Sequence, residues 1–212
     1  MRPENTAVLT VDLHRGHLDP EIATLPVPEN TADQVLTAAA ELVTTAREAG
    51  YPIIHVTTAY RDSEEILANP KWSETEETGG DSREAISEHN VYGKTNGMEI
   101  MPAVYEEADT LLQPKKRYSP FLNTDLEFVL RTNNISNLII SGVNTNTCVQ
   151  CTCFEATNRD FDVTIVEECV GSMDGEEFHQ LGLKNIERAL GSVVSLDEVL
   201  EVITQTPNIS HN

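Results

Sequence analysis

An α/β fold, with a parallel sheet covered by helices on both faces, is what this sequence predicts. Short apolar runs rich in β-branched residues alternate with longer segments whose apolar residues recur at helical spacing. The runs stay apolar instead of alternating with polar residues, which is the pattern of strands buried on both faces. The chain has 212 residues, 39% of them hydrophobic, which suits a single domain spanning residues 1–212 with one sizeable core. No internal repeat or low-complexity linker divides it.

The elements follow in order. Residues 7–11 (AVLTV) form the first strand and end at Asp12. Residues 31–49 form a helix, with Asn30 or Thr31 as N-cap and Gly50 closing it. Residues 52–58 (PIIHVTT) read as a second buried strand, and the run 108–113 leads up to Lys115. An amphipathic helix over 122–131 precedes the clearest buried strand, 138–143 (LIISGV). Residues 147–159 are helical, 162–166 a strand, 175–190 a helix, 192–195 a short last strand and 196–203 a final helix. The segment 60–97 breaks this rhythm. It is acidic (Glu64, Glu65, Glu74, Glu76, Glu77, Asp81, Glu84, Glu88), lacks a strong apolar period and holds the single tryptophan, Trp72. Either a solvated excursion or a lid or subunit-interface loop fits it, since long loops in compact domains are often functional.

Charge narrows the partners. Lys plus Arg is 14 against 35 Asp plus Glu, a formal net charge of −21. Such a chain repels phosphate backbones and anionic bilayers, so neither nucleic acid nor membrane is expected as a partner. No window approaches the ~20 apolar residues of a bilayer span, and the N-terminus does not read as a signal peptide. The four cysteines, Cys148, Cys151, Cys153 and Cys169, fall in one short stretch. That favours reduced thiols and, with the missing leader, a cytoplasmic location.

Three polar residues stand where strands end: Asp12, Lys115 and Cys148. In a parallel sheet these ends share one side, the side where ligands bind. A cysteine at a helix N-terminus is expected to have a lowered pKa, a nearby carboxylate can take its proton, and a lysine can stabilise the charges. The same helix start offers N–H groups to an oxyanion. Singly, each residue has an ordinary reading, the cysteine as packing and the aspartate as a turn residue.

The stretches AVLTVDLHRGHLDP, KKRYSPFLNTDLEFVL and SGVNTNTCVQCTCFEATNRDFDVTIVEE together resemble the isochorismatase-like cysteine hydrolase family, over about residues 6–203. Its members include N-carbamoylsarcosine amidase, biuret hydrolase and ureidoacrylate amidohydrolase. The resemblance implies a three-layer α/β sandwich with a six-stranded, mostly parallel sheet. It also implies a catalytic triad of Asp12, Lys115 and Cys148. The family lysine lies six residues before the Phe of K-x-R-Y-S-x-F, which selects Lys115 over Lys116. A cis peptide is implied at Val143–Asn144 in the G-V-x-T turn, with the amides of Asn144 and Cys148 as oxyanion donors. Retention of Cys148 favours acyl chemistry, because members that cleave the vinyl ether of isochorismate lack it.

The sequence departs from the common D-M-Q-x-D-F pattern at His14 and His17. These two, with Trp72, Arg117 and Phe121, are the substrate-binding candidates. Nicotinamidases of the family hold a metal through an Asp-x-His pair after the second strand. Here that region reads HVTTAYRDSEE and lacks the pair, so neither a metal nor another cofactor is expected, and nicotinamide is demoted as substrate. A small-molecule amide partner and a homodimer or homotetramer are what the resemblance implies. The expected activity is a cysteine-dependent amidohydrolase releasing ammonia from a small linear amide or ureido compound through a thioester. The rivals are a hydrolase of a non-amide bond and a redox sensor pairing Cys148 with Cys151.

Overall fold

The computed structural model describes residues 1–78, 83 and 85–205. The elements are β1 (Thr6–Val11), α1 (Arg15–Leu18), α2 (Glu29–Glu48), β2 (Ile53–Thr58), α3 (Ser63–Leu67) and α4 (Pro70–Thr78). A 3₁₀ turn at Ile86–Glu88, then β3 (Thr110–Lys115), α5 (Leu126–Thr132) and β4 (Asn137–Val143) follow. A π turn (Thr145–Val149) leads into α6 (Gln150–Thr157), then β5 (Asp162–Gly171), α7 (Glu176–Ala189), β6 (Ser192–Val194) and α8 (Leu196–Gln205). The six strands form one sheet in the order β3-β2-β1-β4-β5-β6. Every pairing is parallel, so the mostly parallel sheet of the sequence reading is parallel throughout.

Alternation along the strands divides the core between the two faces. Ala7, Leu9, Val11, Leu138, Ile140, Val163 and Ile165 pack against Leu126 and Leu130 of α5, Cys153 and Ala156 of α6, and Leu183 and Ile186 of α7. Val8, Ile53, Ile139 and Val166 face Val35, Ala39, Leu42 and Val43 of α2 and Val199 and Ile203 of α8. This is the three-layer sandwich that the sequence implied. No helix among the described residues is long and apolar enough to cross a membrane.

Several boundaries move for local reasons. α2 starts at Glu29 with Pro28 at the N-cap, two residues before the predicted helix start at Thr31, because the fixed φ of proline already suits a helix entry. Gly50 (φ 82) does close it. α5 begins at Leu126, not at 122, because Asn123 takes a left-handed conformation (φ 56). β5 continues past Val166 to Gly171 through an irregularity opposite Ile140–Gly142 that leaves Glu167 and Glu168 exposed. Two adjacent glutamates hide such a continuation, since they read as a strand end.

The acidic segment is not merely solvated. Trp72, Ile66, Ile86 and Val91 join Leu25 and Tyr60 in a small third cluster, which lies over the carboxyl ends of the strands. Asp81 and Glu84 of its predicted acidic set lie outside the described residues.

The close approach of β1 and β4 depends on Gly142, which pairs with Val11 at φ +135. A Cβ there would lie 2.0 Å from the Val11 carbonyl oxygen and 2.8 Å from its nitrogen. Gly142→Ala is therefore expected to destabilise by about 3 kcal/mol or more, read as a lowered urea midpoint. Gly93→Ala, also at positive φ but with nothing within 4 Å of its Cβ, should cost only about 1 kcal/mol.

Candidate active site

β1, β2 and β3 deliver three polar residues to one point at their carboxyl ends. Asp12 leaves β1 in the left-handed region (φ 56), an unusual backbone for a non-glycine residue. Its Oδ1 accepts from the Thr58 N–H (2.8 Å) and the Thr58 hydroxyl (2.9 Å). Its Oδ2 accepts from Lys115 Nζ at 2.6 Å. Lys115 also donates to Thr58 Oγ1 (2.7 Å) and reaches Cys148 Sγ at 3.4 Å. Asp12, Lys115 and Cys148 are 0%, 1% and 7% exposed, so the ion pair and the thiol are nearly dry.

That dryness sets the protonation states. Burial raises the Asp12 pKa, but the Lys115 ammonium, with smaller contributions from His14 and His17, outweighs it and holds the carboxyl well below its ordinary value. Burial also works against the lysine's charge, yet Asp12 and Cys148 keep its pKa above the ordinary value. Cys148 is pushed up to about 12, first by burial and then by Asp12, with Lys115 opposing. This corrects the expectation of a thiol lowered at a helix start: desolvation of the thiolate exceeds what the nearby cation returns. At rest the three groups are carboxylate, ammonium and thiol.

The turn that carries Cys148 starts at Asn144. The Val143–Asn144 peptide is cis, as the resemblance implied. Asn144 Oδ1 accepts from the Met173 N–H (2.7 Å) and its carbonyl from the N–H groups of Thr147 and Val149. No acceptor meets the Asn144 N–H among the described residues.

A cavity of about 50 Å³ opens beside Cys148. His17, Trp72 and Arg117 line it, whereas His14 and Phe121 do not. His14 sits behind it, 3.6 Å from Asp12 Oδ1, and Phe121 packs in the core 6.0 Å from Phe161. Trp72 Nε1 donates to Tyr118 (3.1 Å), and the Arg117 guanidinium lies 4.9 Å from the Trp72 ring while donating to the carbonyls of Glu65 and Lys116. Lys116 pairs with Glu65 instead of entering the triad.

Sequence reasoning missed Thr58, Tyr60, Arg83, His89 and Tyr118. Thr58 had a usable signal, since it ends the second strand as Asp12 follows the first. His89 and Arg83 had none, because they reach the cavity through the acidic segment.

Comparison with known proteins supports this architecture. The Isochorismatase domain family matches residues 6–198. The ureidoacrylate amidohydrolase RutB of Agrobacterium fabrum is 24% identical over 221 residues, covering 99% of this chain and 95% of the relative. RutB of Azorhizobium caulinodans is 24% identical and covers 96% and 92%. A cysteine hydrolase from Pseudomonas syringae pv. phaseolicola superposes with TM-score 0.82 at 23% identity, covering 96% and 94%. N-carbamoylsarcosine amidase from Thermoplasma acidophilum gives 0.70 at 23%, covering 91% and 97%.

Two measurements test these electrostatics. Lys115→Met leaves the Asp12 carboxylate buried and unpaired, and should cost about 3–5 kcal/mol in urea unfolding, partly recovered by Asp12→Asn in the same chain. Iodoacetamide labelling of Cys148, followed by peptide mass, should accelerate about tenfold per pH unit from pH 6 to 9. A plateau near neutral pH would show a thiolate already formed.

Proposed function

Because the chain belongs to the Isochorismatase domain family, and because its buried ammonium bridges a carboxylate and a thiol, we propose that it is a cysteine-dependent amidohydrolase of small linear amides or ureido compounds. The single observation that carries this reading is Lys115 Nζ, 2.6 Å from Asp12 Oδ2 and 3.4 Å from Cys148 Sγ, beside a cavity that Cys148 lines. The relatives named ureidoacrylate amidohydrolase and the neighbour named N-carbamoylsarcosine amidase support the bond type.

The geometry permits a balanced sequence. Asp12 takes the Cys148 proton as sulfur bonds to the substrate carbonyl carbon, and the carbonyl electron pair moves to oxygen. The negative charge thereby leaves Asp12 without leaving the reach of Lys115, so the net charge of the site does not change. The oxyanion faces the N–H groups of Asn144 and Cys148. The carbon–nitrogen bond breaks as Asp12 returns its proton to nitrogen, and ammonia departs. Water, deprotonated by Asp12, then attacks the thioester, and the sulfur leaves and recovers the proton.

The substrate class follows from the walls. Trp72 and Tyr60 give flat apolar surface, while Arg117 gives a cation that no carboxylate pairs with among the described residues. An anionic ureido acid suits both.

The test is ammonia release from N-carbamoyl amino acids, biuret, ureidoacrylate, maleamate and nicotinamide, assayed together. Turnover should be greatest for a ureido acid and should vanish in Cys148→Ala. Asp12→Asn should lose several orders of magnitude, and Cys151→Ala and Lys116→Ala little. Best turnover on nicotinamide would refute the substrate class, and no ammonia from any of them would refute the amide reading.

A further inference from the structure

Three histidines gather at the cavity's edge, His17 and His89 lining it and His14 behind them, and the proposed chemistry uses none of them. His14 is the N-cap of α1 and His17 lies within it, and His89 follows the 3₁₀ turn. They offer one ligand nitrogen each, all within 4.8 Å of one another. Their side chains are buried, at 0%, 5% and 4% exposure. Ring centroids lie 4.7 Å apart for His14–His17, 4.7 Å for His17–His89 and 5.5 Å for His14–His89. Burial, then repulsion from neighbouring imidazoles, brings His17 down to about 3 and His89 well below its ordinary value. Both are therefore neutral near pH 7, with a ring lone pair free of a proton.

The hydrogen bonds show where those lone pairs point. His17 Nδ1 is 2.7 Å from the Leu25 carbonyl oxygen, which can only accept, so Nδ1 carries the proton and Nε2 is bare. His89 Nδ1 lies 2.9 Å from Thr24 Oγ1, and with that hydroxyl accepting, Nε2 is left bare. His14 Nε2 lies 3.1 Å from Asn90 Nδ2 and 3.6 Å from Asp12 Oδ1, while its Nδ1 is buried with no partner. His17 and His89 thus each have one nitrogen tied to a carbonyl or hydroxyl and one untied, the arrangement found behind metal-ligating histidines, whereas His14 Nε2 accepts from the Asn90 amide and its Nδ1 is untied. Asn90 Oδ1, beside the cluster, is a second buried atom without a partner.

We propose that His14, His17 and His89 bind one divalent transition-metal ion of the zinc class, with the fourth coordination position open to the cavity that holds Cys148. Three imidazole ligands are a set that zinc, cobalt and nickel accept, and three protein ligands leave a tetrahedral ion one exchangeable position. Bonds of about 2.0–2.1 Å place tetrahedral ligands about 3.4 Å apart, so the rings draw together on binding. The His14 and His17 rings, 14° from parallel, must tilt to converge, and His14 must carry its proton on Nε2, which requires the Asn90 amide that now donates to that nitrogen to turn away. The Asp-x-His pair missing after β2 does not bear on this triplet, because none of its members comes from that position.

Metal binding, not turnover, is the readout, so the outcome is separate from that of the amide reading. Chelator-stripped Cys148→Ala protein, which lacks the accessible thiol, is titrated with zinc by calorimetry and then examined by zinc-edge X-ray absorption. One equivalent should bind, with a first shell of three imidazole nitrogens and one oxygen and no sulfur. His17→Gln and His89→Gln should each weaken binding about 100-fold or more, whereas Asp19→Asn, whose carboxylate is held by Arg15, should not. No stoichiometric zinc in the protein, as for a cluster that simply encloses a water molecule, would overturn the proposal. So would a shell of sulfur or of oxygen alone, which can be read even where a histidine variant fails to fold.

Discussion

Lys115 carries a full charge where almost no water reaches it, and the carboxyl ends of three neighbouring strands are arranged around that fact. An ammonium and a carboxylate buried together remain stable only if close geometry and further hydrogen bonds replace the lost water. Asp12 supplies the opposite charge at 2.6 Å, and Thr58 completes the set by accepting from the lysine and donating twice to the aspartate. Those residues end or follow β3, β1 and β2, which are adjacent in the sheet. The β2–β3 pairing even shifts register to bring Lys115 opposite Thr58. β3 is otherwise an exposed edge strand, and its last side chain is the one that must be inside.

The fold was legible because its strands are apolar on both faces. AVLTV, IIHVTT and LIISGV have few other places to go than the middle of a parallel sheet, and helical spacing between them fills the outer layers. What escaped was set by contacts distant in sequence. Thr58, Arg83 and His89 matter through neighbours that no local period announces. The acidic segment looked solvated because its buried residues, Ile66, Trp72, Ile86 and Val91, are too sparse to make a period yet enough to seat it over the site. Asp12, Lys115 and Cys148 could be placed at strand ends on one side of the sheet from the residues alone, and the resemblance added the reading of them as a catalytic triad. The protonation of Cys148 was misread, since a helix start is a local cue and burial is not.

Under the proposed chemistry, burial of the thiol would keep the site from reacting idly. A thiol pushed up to about 12 is a poor nucleophile in the resting site, while the carboxylate beside it is held ionised by Lys115. Moving one proton between them exchanges the carriers of the negative charge under the same ammonium. The change needs little reorganisation of the surroundings, which is the condition under which preorganised charges act most strongly.

The same logic bears on how an acidic protein could hold the acidic substrate proposed for it. A net charge of −21 repels anions at a distance, but salt screens that repulsion beyond roughly 8 Å at physiological ionic strength. Inside the cavity the balance reverses. Lys115 is fully committed to the triad and Arg83 is tied to Asp174 by two bonds of 2.8 and 3.0 Å. Arg117 is held by backbone carbonyls, which fix its position without cancelling its charge. With its guanidinium 4.9 Å from the Trp72 ring, it is the lining cation with charge to spare. An elongated ligand with a carboxylate at one end and a carbamoyl group at the other would meet Arg117 with the first and Cys148 with the second.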